Sequence, residues 1–463
     1  MNRLLATPAA VFLVVACGTV ALQAGVTPIA IREEKVIAHA ELLGANLADN
    51  VLNQNRERFV DYTNPGGDWQ TKSDSSWCSG FIPGMFWYLW QLTGDDGWRT
   101  DAMHWAEGVK SRSTAADNDV GFQILEGLGL GYFFDETLRE EYKPYMLEGA
   151  DTLVNQRYNT AIGCFRSWPG GENNPFDLPF EVNIDQMMNL ELVMWAALNG
   201  GPTEYMDYAI SHADKSWENN IREDGSSFHV VNYNLDGTVA SKRTHQGWQR
   251  DSTWSRGQAW AVYGYTLVHM YTGLDRMLER AEKCYDYWIT ATRTQDERLV
   301  PFSDFDAPLD NDNPRDTSAT AIVACAAIEL YNLTGKTQYL REAEQMLGTL
   351  TNPYYLSIFT DYESILMRGS EKWGEPEEGT SFGDFYLLEG LYLYRGIQQS
   401  APVVTGSWLG YDILDGQFVD AANSMGWMSI TGDPYIYSYG MESWIFVDAA
   451  AKSQNGGWVY SFR

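Results

Sequence analysis

The chain has 463 residues, of which 44% are hydrophobic and 14% aromatic, so it is able to bury a large core. Its formal net charge is −30 and its pI is about 4.4. Such a charge repels nucleic-acid phosphates and anionic lipid. The composition therefore excludes a disordered chain, and we expect no nucleic-acid partner.

The N-terminus is typical of an export signal. Arg3 is followed by an almost wholly apolar run, Leu4 to Ala16, which is too short to span a bilayer. Two cleavage patterns stay open: an ordinary signal peptide over residues 1–24, and a lipoprotein signal that ends before Cys17 and leaves a lipid anchor there. We expect an exported bacterial protein, periplasmic, extracellular or lipid-anchored at the outer membrane. We expect no transmembrane helix in the mature chain.

The cysteines show no C-x-x-C spacing, which argues against structural zinc and against a disulfide framework. They stand at Cys17, Cys78, Cys164, Cys284 and Cys325. We expect mostly buried free thiols, with one disulfide bridge as the alternative. With six histidines and without a metal-ligand spacing or a Gly-rich phosphate loop, the sequence predicts no metal and no cofactor.

Residues 33–400 consist of long segments with the periodicity of helices. Apolar segments repeatedly end at a glycine that is followed by a polar turn, as at Gly94, Gly200, Gly273 and Gly335. A further turn near residues 134–136 and a last helix over residues 385–397 bring the count to six helical hairpins. This predicts an all-α catalytic domain, a closed (α/α)6 barrel in which the loops before the inner helices meet at one end. An open α-solenoid is the alternative.

The pattern changes after Pro402. Short aromatic runs separated by turns predict β-strands at residues 408–411, 426–428, 443–446 and 457–460. We therefore expect a small aromatic-rich, C-terminal β appendix over residues 404–463. Packing is its simplest role, and sugar binding or surface attachment are the alternatives.

Residues 117–122, DNDVGF, put three capping side chains in front of an apolar helix: Asp117, Asn118 and Asp119. A helix needs only one N-cap. The second acid in this turn therefore serves another purpose, and Asp119 is a candidate for catalysis.

Residues 183–190, NIDQMMNL, place Asp185 just inside a helix among apolar side chains. Such surroundings favour the protonated carboxyl that a general acid needs near neutral pH. A nearby Asp119 would favour it further. The alternative is an acid placed there only because the helix dipole stabilises it.

Residues 242–256 form a positive segment within an acidic chain, with one acid, Asp251, against Lys242, Arg243, Arg250 and Arg256. The segment predicts a patch for an anionic ligand, and Arg256 suits bidentate binding of a carboxylate. A surface loop salt-bridged to the acidic body is the alternative. Trp77 and Trp168, beside glycine turns, are candidates for stacking on a sugar, with packing as the alternative.

With these clusters in place, the chain resembles the unsaturated glucuronyl hydrolases, glycoside hydrolase family 88, from about Trp77 to Leu393. The motifs follow in order: WCSGFIPG at 77–84, DVGF at 119–122, NIDQMMNL at 183–190, WSRGQAW at 254–260, DTSA at 316–319 and GDFY at 383–386. The resemblance implies an (α/α)6 barrel. It also implies hydrolysis of the 4,5-unsaturated uronyl oligosaccharides that polysaccharide lyases leave.

The resemblance further implies that Asp185 is the general acid/base, and that Asp119 holds ring hydroxyls and tunes it. In the family reaction an Asp protonates C4 of the enol ether, water adds at C5, and the hemiketal opens and expels the remaining sugar. Trp77 and Trp168 match stacking positions. Positions that line the substrate site in the family match His229, Gln246, Arg256 and Trp260.

One position departs from the family: Asn118 stands where the family often has His, so the linkage or sulfation preference can differ. An unsaturated rhamnogalacturonyl hydrolase of family 105 is the nearest alternative, although residues 258–259, Gln-Ala, favour family 88 because family 105 more often has Asn-Gly there. A non-catalytic polysaccharide-binding surface protein is the alternative of a different class.

Overall fold

The computed structural model describes residues 31–48, 58–168, 179–310 and 313–399, together with the backbone of seven strands between Val404 and Phe462. The predicted signal over residues 1–24, with Cys17, lies outside the described residues. The described residues form two compact units, one that reaches to Leu393 and one that begins at Tyr394. Within the described ranges, no helix has the length and apolar character needed to cross a membrane.

The described part of the chain contains thirteen α-helical segments. They are α1 (Glu33–Asn46), α2 (Phe81–Thr93), α3 (Asp96–Val109), α4 (Val120–Ile124), α5 (Leu130–Phe134), α6 (Arg139–Arg157), α7 (Gln186–Leu198), α8 (Glu204–Asn219), α9 (Ser255–Thr272), α10 (Asp275–Gln295), α11 (Thr317–Thr334), α12 (Thr337–Leu350) and α13 (Ser381–Gln399). A π-helical turn, Leu125–Gly129, joins α4 and α5 into one helix.

Five hairpins follow one another: α2 with α3, α4–α5 with α6, α7 with α8, α9 with α10, and α11 with α12. The first helix of a pair is buried on nearly every side, as in α7 and α11, whereas the second keeps a solvated face, as in α8 and α10. A helix that is apolar all round belongs in a core, and an amphipathic helix covers it. The hairpins thus form an inner and an outer ring.

The inner ring is closed. Its helices α2, α4–α5, α7, α9 and α11 pack against one another in chain order. The last inner helix, α13, contacts α11 through Cys325, whose Sγ donates to the carbonyl of Tyr386 at 3.2 Å. It contacts α2 through Phe385, whose ring centroid lies 5.1 Å from that of Phe81. The predicted (α/α)6 barrel is confirmed, and the open solenoid is wrong.

The sixth outer position is filled by α1, which precedes all the hairpins in the chain. Gly44 of α1 packs against Trp98 of α3. His39 of α1 lies 2.8 Å from Ser357, in the segment that follows α12. Helix α1 therefore sits on the outside between α3 and the end of α12. The sixth pair combines the first and last helices of the barrel, so it is not a hairpin.

Short sheets stand between the helices and lead into the inner ring. Strands β1 (Phe59–Thr63) and β2 (Trp69–Lys72) form one antiparallel pair, and β3 (Tyr158–Asn159) and β4 (Cys164–Phe165) form another. A three-stranded antiparallel sheet contains β5 (Phe180–Asn183), β6 (Val230–Tyr233) and β7 (Val239–Arg243). Strand β2 leads to Trp77 and β5 leads to Asp185, so the sheets help to position both residues.

The predicted β appendix is a seven-stranded antiparallel sheet with its strands in chain order. The strands are β8 (Val404–Trp408), β9 (Tyr411–Leu414), β10 (Phe418–Ala421), β11 (Gly426–Ser429), β12 (Tyr435–Ser438), β13 (Ser443–Val447) and β14 (Val459–Phe462). The predicted strands at residues 426–428 and 443–446 lie within β11 and β13, and the one at 457–460 overlaps the start of β14. The one predicted at 408–411 was misplaced, since it includes only the last residue of β8 and the first of β9. The aromatic runs gave no sign of β10 and β12.

The cysteines of the described residues are buried free thiols, as expected, namely Cys78, Cys164, Cys284 and Cys325. Burial raises the pKa of the Cys164 thiol to about 12, so it stays protonated. The same part of the chain contains no group of three or more His, Cys, Asp or Glu side chains placed to hold a metal ion.

Candidate active site

The N-terminal ends of the inner helices meet at one end of the barrel. Asp119 precedes α4, Asp185 precedes α7, and Asp316 caps α11. Contacts between these ends join separate parts of the chain: Asn189 lies 3.2 Å from Asp119, and Arg256 lies 2.7 Å from Asp316. Helix N-termini carry partial positive charge, which favours anionic groups here.

A cleft of about 540 Å³ opens at this end. It is lined by Lys72, Ser73, Ser75, Ser76, Trp77, Asp117, Asn118, Asp119 and Trp168. Four of the residues proposed from the sequence, those at positions 77, 118, 119 and 168, therefore line one cleft, although they are up to 91 residues apart (168 − 77).

Asp119 is the N-cap residue of α4, and Asp117 binds its backbone from two residues earlier. Oδ1 of Asp117 accepts the N–H of Asp119 at 3.3 Å, and Oδ2 pairs with Arg112 at 3.0 Å. The Asp119 side chain makes no capping bond. The Asp119 carboxyl is therefore available to the cleft, as expected for the second acid of this turn.

Asn189 fixes Asp119 against α7. This fully buried side chain donates from Nδ2 to Oδ1 of Asp119 at 3.2 Å, and its own Oδ1 accepts the N–H of Phe122 at 3.0 Å. A Cβ on Gly121 would lie 2.5 Å from that Oδ1. Only glycine therefore allows α4 to approach α7 closely enough to bring Asp119 near Asp185.

His229 faces Asp185. Its Nδ1 accepts the backbone N–H groups of His245, at 3.2 Å, and Gln246, at 3.4 Å, which places the ring proton on Nε2. Nε2 lies 3.3 Å from Oδ2 of Asp185, an electrostatic contact outside hydrogen-bond geometry. The ring stacks on Trp254 at 4.5 Å. His229 is thus a buried, fixed neighbour of an Asp185 side chain that is 15% exposed.

Burial raises the pKa of Asp119 well above its ordinary range, and the charges of Asp117 and Asp185 raise it further. Hydrogen bonds from Asn189 and Asn118 act in the opposite direction. From the sequence we expected the carboxyl with a raised pKa to be Asp185. The structure shows this effect at Asp119, because burial and two neighbouring carboxylates act on the same group.

The two tryptophans are half-buried at the cleft. Trp77 packs edge-on against Phe81 and Phe122, each at 5.5 Å. The Trp168 ring lies edge-on to His245 at 5.4 Å. Both rings are held by packing on one side, and part of each remains exposed at the cleft. This arrangement suits stacking on a sugar.

Arg256 is placed differently from the prediction. Its side chain is 1% exposed. Nη1 binds Oδ2 of Asp316 at 2.7 Å, Nη2 donates to the carbonyl of Glu371 at 2.8 Å, and the guanidinium lies between Trp254 and Phe382, 4.6 Å from each ring. Protein acceptors bind the guanidinium N–H groups that were expected to bind a ligand carboxylate. Arg256 is not part of the cleft lining and holds neighbouring segments together.

Trp260 and Gln246 also lie outside the lining of the cleft. Trp260 is fully buried, with ring centroids 5.3 Å from Phe122 and 5.4 Å from Tyr386. Gln246 donates from Nε2 to the carbonyl of Glu371 at 2.8 Å. Trp260 thus packs against Phe122. Gln246 links its own loop to the loop that contains Glu371.

The predicted positive patch is not assembled. Arg243 is buried and bound to Glu181 at 2.6 Å, and Arg256 is bound to Asp316. Lys242 lies 5.4 Å from the ring of Phe228. Arg243 and Arg256 are thus bound to acids 62 and 60 residues away in sequence, which a local count of charges does not reveal.

Sequence reasoning missed three residues at the site. Lys72 lines the cleft, Asn189 holds Asp119, and His245 lies beside Trp168. A signal existed for Asn189, since it follows Asp185 by four residues and so shares its side of the helix. Lys72 stands five residues before Trp77, where the resemblance begins.

Comparison with known proteins points to one family. The model described as Glycosyl Hydrolase Family 88 matches residues 46–353. An unsaturated glucuronyl hydrolase of Formosa agariphila is 38% identical over 321 residues, covering 68% of this chain and 79% of that protein. An unsaturated chondroitin disaccharide hydrolase of Streptococcus pneumoniae is 29% identical over 336 residues, covering 69% of this chain and 81% of that protein. The crystal structure of an unsaturated glucuronyl hydrolase specific for heparin matches with a TM-score of 0.73 and 29% identity, over 79% of this chain and 98% of that one.

The matched range includes more than half of the chain and contains both Asp119 and Asp185. Inner helices α2, α4–α5, α7, α9 and α11 and the residues that line the cleft also lie within the matched residues 46–353. The family 105 alternative receives no support from the family match. The chain therefore belongs to glycoside hydrolase family 88.

Proposed function

We propose that this enzyme removes the 4,5-unsaturated glucuronyl residue from the non-reducing end of lyase-generated oligosaccharides. The observation that carries the proposal is the half-buried Asp119 at the cleft, whose pKa is raised by burial and by the charges of Asp117 and Asp185. Relatives that act on unsaturated glucuronyl and chondroitin saccharides support the same substrate class.

The reaction needs one proton donor and one proton acceptor. A carboxyl transfers its proton to C4 of the enol ether, and water adds to C5 while the resulting carboxylate accepts the proton of that water. The hemiketal then opens with cleavage of the bond between C5 and the ring oxygen. The hemiacetal left at C1 expels the remaining saccharide. A single carboxyl that gives and regains one proton is sufficient.

Asp185 is the group to which we assign this proton transfer, with Asp119 as its partner. Two nearby carboxyls do not ionise independently, so the pair retains a proton at a pH where an isolated Asp has lost it. His229 Nε2–H, 3.3 Å away, orients Asp185. Asp119, held by Asn189, binds ring hydroxyls and keeps the proton within the pair, while Trp77 and Trp168 stack on the sugar.

The assignment predicts unequal effects of two isosteric substitutions. Asp185→Asn lowers kcat by at least ~10²-fold, the usual scale for loss of an acid/base. Asp119→Asn lowers it less, because a neutral amide still hydrogen-bonds a hydroxyl. The measurement is the loss of enol-ether absorbance at about 235 nm, an approximate band for this conjugated group, with an unsaturated glucuronyl disaccharide.

The opposite ranking, with Asp119→Asn inactive and Asp185→Asn active, would assign the proton transfer to Asp119. Near-normal turnover in both variants contradicts the mechanism. A non-catalytic sugar-binding protein would bind the disaccharide without any loss of absorbance in the wild type. Thermal unfolding of each variant controls for misfolding.

Export is a further part of the proposal. Arg3 and the apolar run from Leu4 to Ala16 support it, since lyase products form where polysaccharide is degraded outside the cytoplasm. Mass spectrometry of the mature N-terminus distinguishes cleavage after Ala24 from a lipid-modified Cys17. An uncleaved N-terminus on the isolated cellular protein would contradict export by either route.

A further inference from the structure

Lys72 is the cationic side chain in the lining of the 540 Å³ cleft, within the described residues. It ends β2 and is followed by Ser73 and Ser75, whose hydroxyl oxygens lie 2.7 Å apart and line the same cleft. The other charged groups of the lining are the acids Asp117 and Asp119. An ammonium and two hydroxyls therefore stand together on one chain segment at the cleft.

A buried acid holds Lys72 in place. Its Nζ pairs with Oδ2 of Asp61, whose side chain is 0% exposed, while 57% of the Lys72 side chain is exposed. Burial lowers the pKa of Lys72, but the hydrogen bond and charge of Asp61 outweigh it and raise the pKa above its ordinary value. An ammonium has three N–H donors, and the pair with Asp61 leaves donors for a ligand.

The expected proton donor and the ammonium differ in exposure. The Asp185 side chain is 15% exposed and that of His229 is 0% exposed, against 57% for Lys72. The C4=C5 bond of the substrate occurs only in its terminal residue. Under the proposed function that ring lies deep beside Asp185, and the rest of the saccharide extends outward past the more exposed Lys72.

A negative saccharide needs a cation at this cleft, because the chain carries a net charge of −30. Lys72, Arg256 and Arg112 each pair with an acid, but 57% of the Lys72 side chain is exposed, against 1% for Arg256 and 14% for Arg112. We infer that Lys72, together with Ser73 and Ser75, binds an anionic group, a sulfate ester or a carboxylate, on the sugar next to the unsaturated glucuronyl residue. This inference rests on the proposed function and names its substrate class.

The test compares matched substrates in two arms. The first arm uses unsaturated glucuronyl disaccharides with and without a sulfate ester on the second sugar. The second arm uses disaccharides whose second sugar is a uronate or its neutral, reduced counterpart. In at least one arm Lys72→Met lowers the ratio of kcat/KM for the anionic over the neutral substrate by ~10-fold, the scale of one charge-assisted contact. The loss lies in KM.

Lys336→Met is the matched control, since Lys336 also pairs with an acid, Glu282, and its side chain is likewise 57% exposed. It leaves the ratio as in the wild type. The arm that responds identifies the anionic group as sulfate or carboxylate. An unchanged ratio in both arms overturns the inference, as does a wild type that shows no preference for the anionic member of either pair.

A binding measurement separates this inference from the proposed function. Binding of the same disaccharides to Asp185→Asn is compared with binding to Asp185→Asn/Lys72→Met by calorimetry. A ~10-fold loss of anion preference in the double variant supports the inference independently of turnover. Equal preference in the two variants contradicts it. Failure of the wild type to turn over any of these substrates counts against the proposed function alone.

Discussion

At the scale of single residues, Asp117 and Asp119 have different roles at the cleft: Asp117 binds neighbouring groups, and Asp119 has a raised pKa. Asp117 accepts the backbone N–H of Asp119 and pairs with Arg112. Its charge is one reason why the pKa of Asp119 lies above the ordinary range. A structural acid thus helps a catalytic pair to retain its proton.

This arrangement predicts a pH effect with a defined sign. If turnover needs the proton of the pair, activity falls as pH rises through the raised pKa of Asp119. Asp117→Asn removes a neighbouring negative charge and so lowers that pKa. The alkaline limb of the profile of kcat/KM against pH therefore moves to lower pH, while the Asn side chain still accepts the N–H of Asp119.

Asp95→Asn is the matched control, because Asp95 likewise accepts the backbone N–H two residues later, that of Gly97 at 2.8 Å, and does not line the cleft. Its profile coincides with that of the wild type. An alkaline limb that stays in place in Asp117→Asn, or that moves to higher pH, contradicts this account of the pair.

At the scale of elements, the close approach of α4 to α7 brings the two aspartates together. Gly121 permits that approach, since a Cβ would lie 2.5 Å from Oδ1 and 2.6 Å from Cα of Asn189. A backbone atom at such a distance does not move without moving its helix. The geometry of the catalytic pair therefore depends on a residue without a side chain.

Gly121→Ala forces α4 away from α7, and we expect a loss of stability of about 1–3 kcal/mol, the usual cost of overpacking. Activity falls further than stability, because Asp119 moves away from Asp185. Urea unfolding measures the first effect, and turnover at saturating substrate measures the second. Gly396→Ala in α13 is the control, since a Cβ there meets nothing within 4 Å and alanine favours a helix. Equal stability of the Gly121 and Gly396 variants would contradict this reading.

The sequence predicted the hairpins well because their signals are local. Gly94, Gly273 and Gly335 have positive φ and end α2, α9 and α11, as the glycine pattern indicated. It did not predict that α1 completes the outer ring, since this depends on where two distant parts of the chain meet. The sheet of β5–β7 was missed as well, because β5 pairs with β6 from a distant part of the chain.

For the site, the sequence and the resemblance together predicted the lining residues Trp77, Asn118, Asp119 and Trp168, which share the cleft. They did not predict the ion pair of Arg256, because its partner Asp316 is 60 residues away. A free arginine and an arginine in a buried ion pair look alike in sequence. Burial is settled by the whole fold, so the sequence could not show that protein acceptors bind the Arg256 guanidinium, and its direct contact with a ligand stays a prediction.

At the scale of the whole barrel, Arg256 joins parts of the chain that meet at the catalytic end. It starts α9, binds Asp316 at the start of α11, and donates to the carbonyl of Glu371. Its guanidinium also lies against Phe382 of α13. A buried cation with this set of partners holds three inner helices in register.

Arg256→Met leaves the carboxylate of Asp316 buried without its cation, and we expect a loss of about 3–5 kcal/mol in the free energy of unfolding. The double variant Arg256→Met/Asp316→Asn loses less than the sum of the two single variants, because the stranded charge is gone. Chemical denaturation of the four proteins measures this coupling. Normal stability in Arg256→Met with only a raised KM would instead restore the predicted contact with substrate.

Ring closure by α13 has a consequence for biosynthesis. This helix fits between α11 and α2, yet it is the last helix of the barrel to leave the ribosome. Until α13 has been made, the sides of α2 and α11 that it covers have no partner. The nascent barrel is then an open arc with two exposed apolar edges. The ring therefore closes only after the chain has been made to about residue 399, and until then the two exposed edges are prone to aggregate.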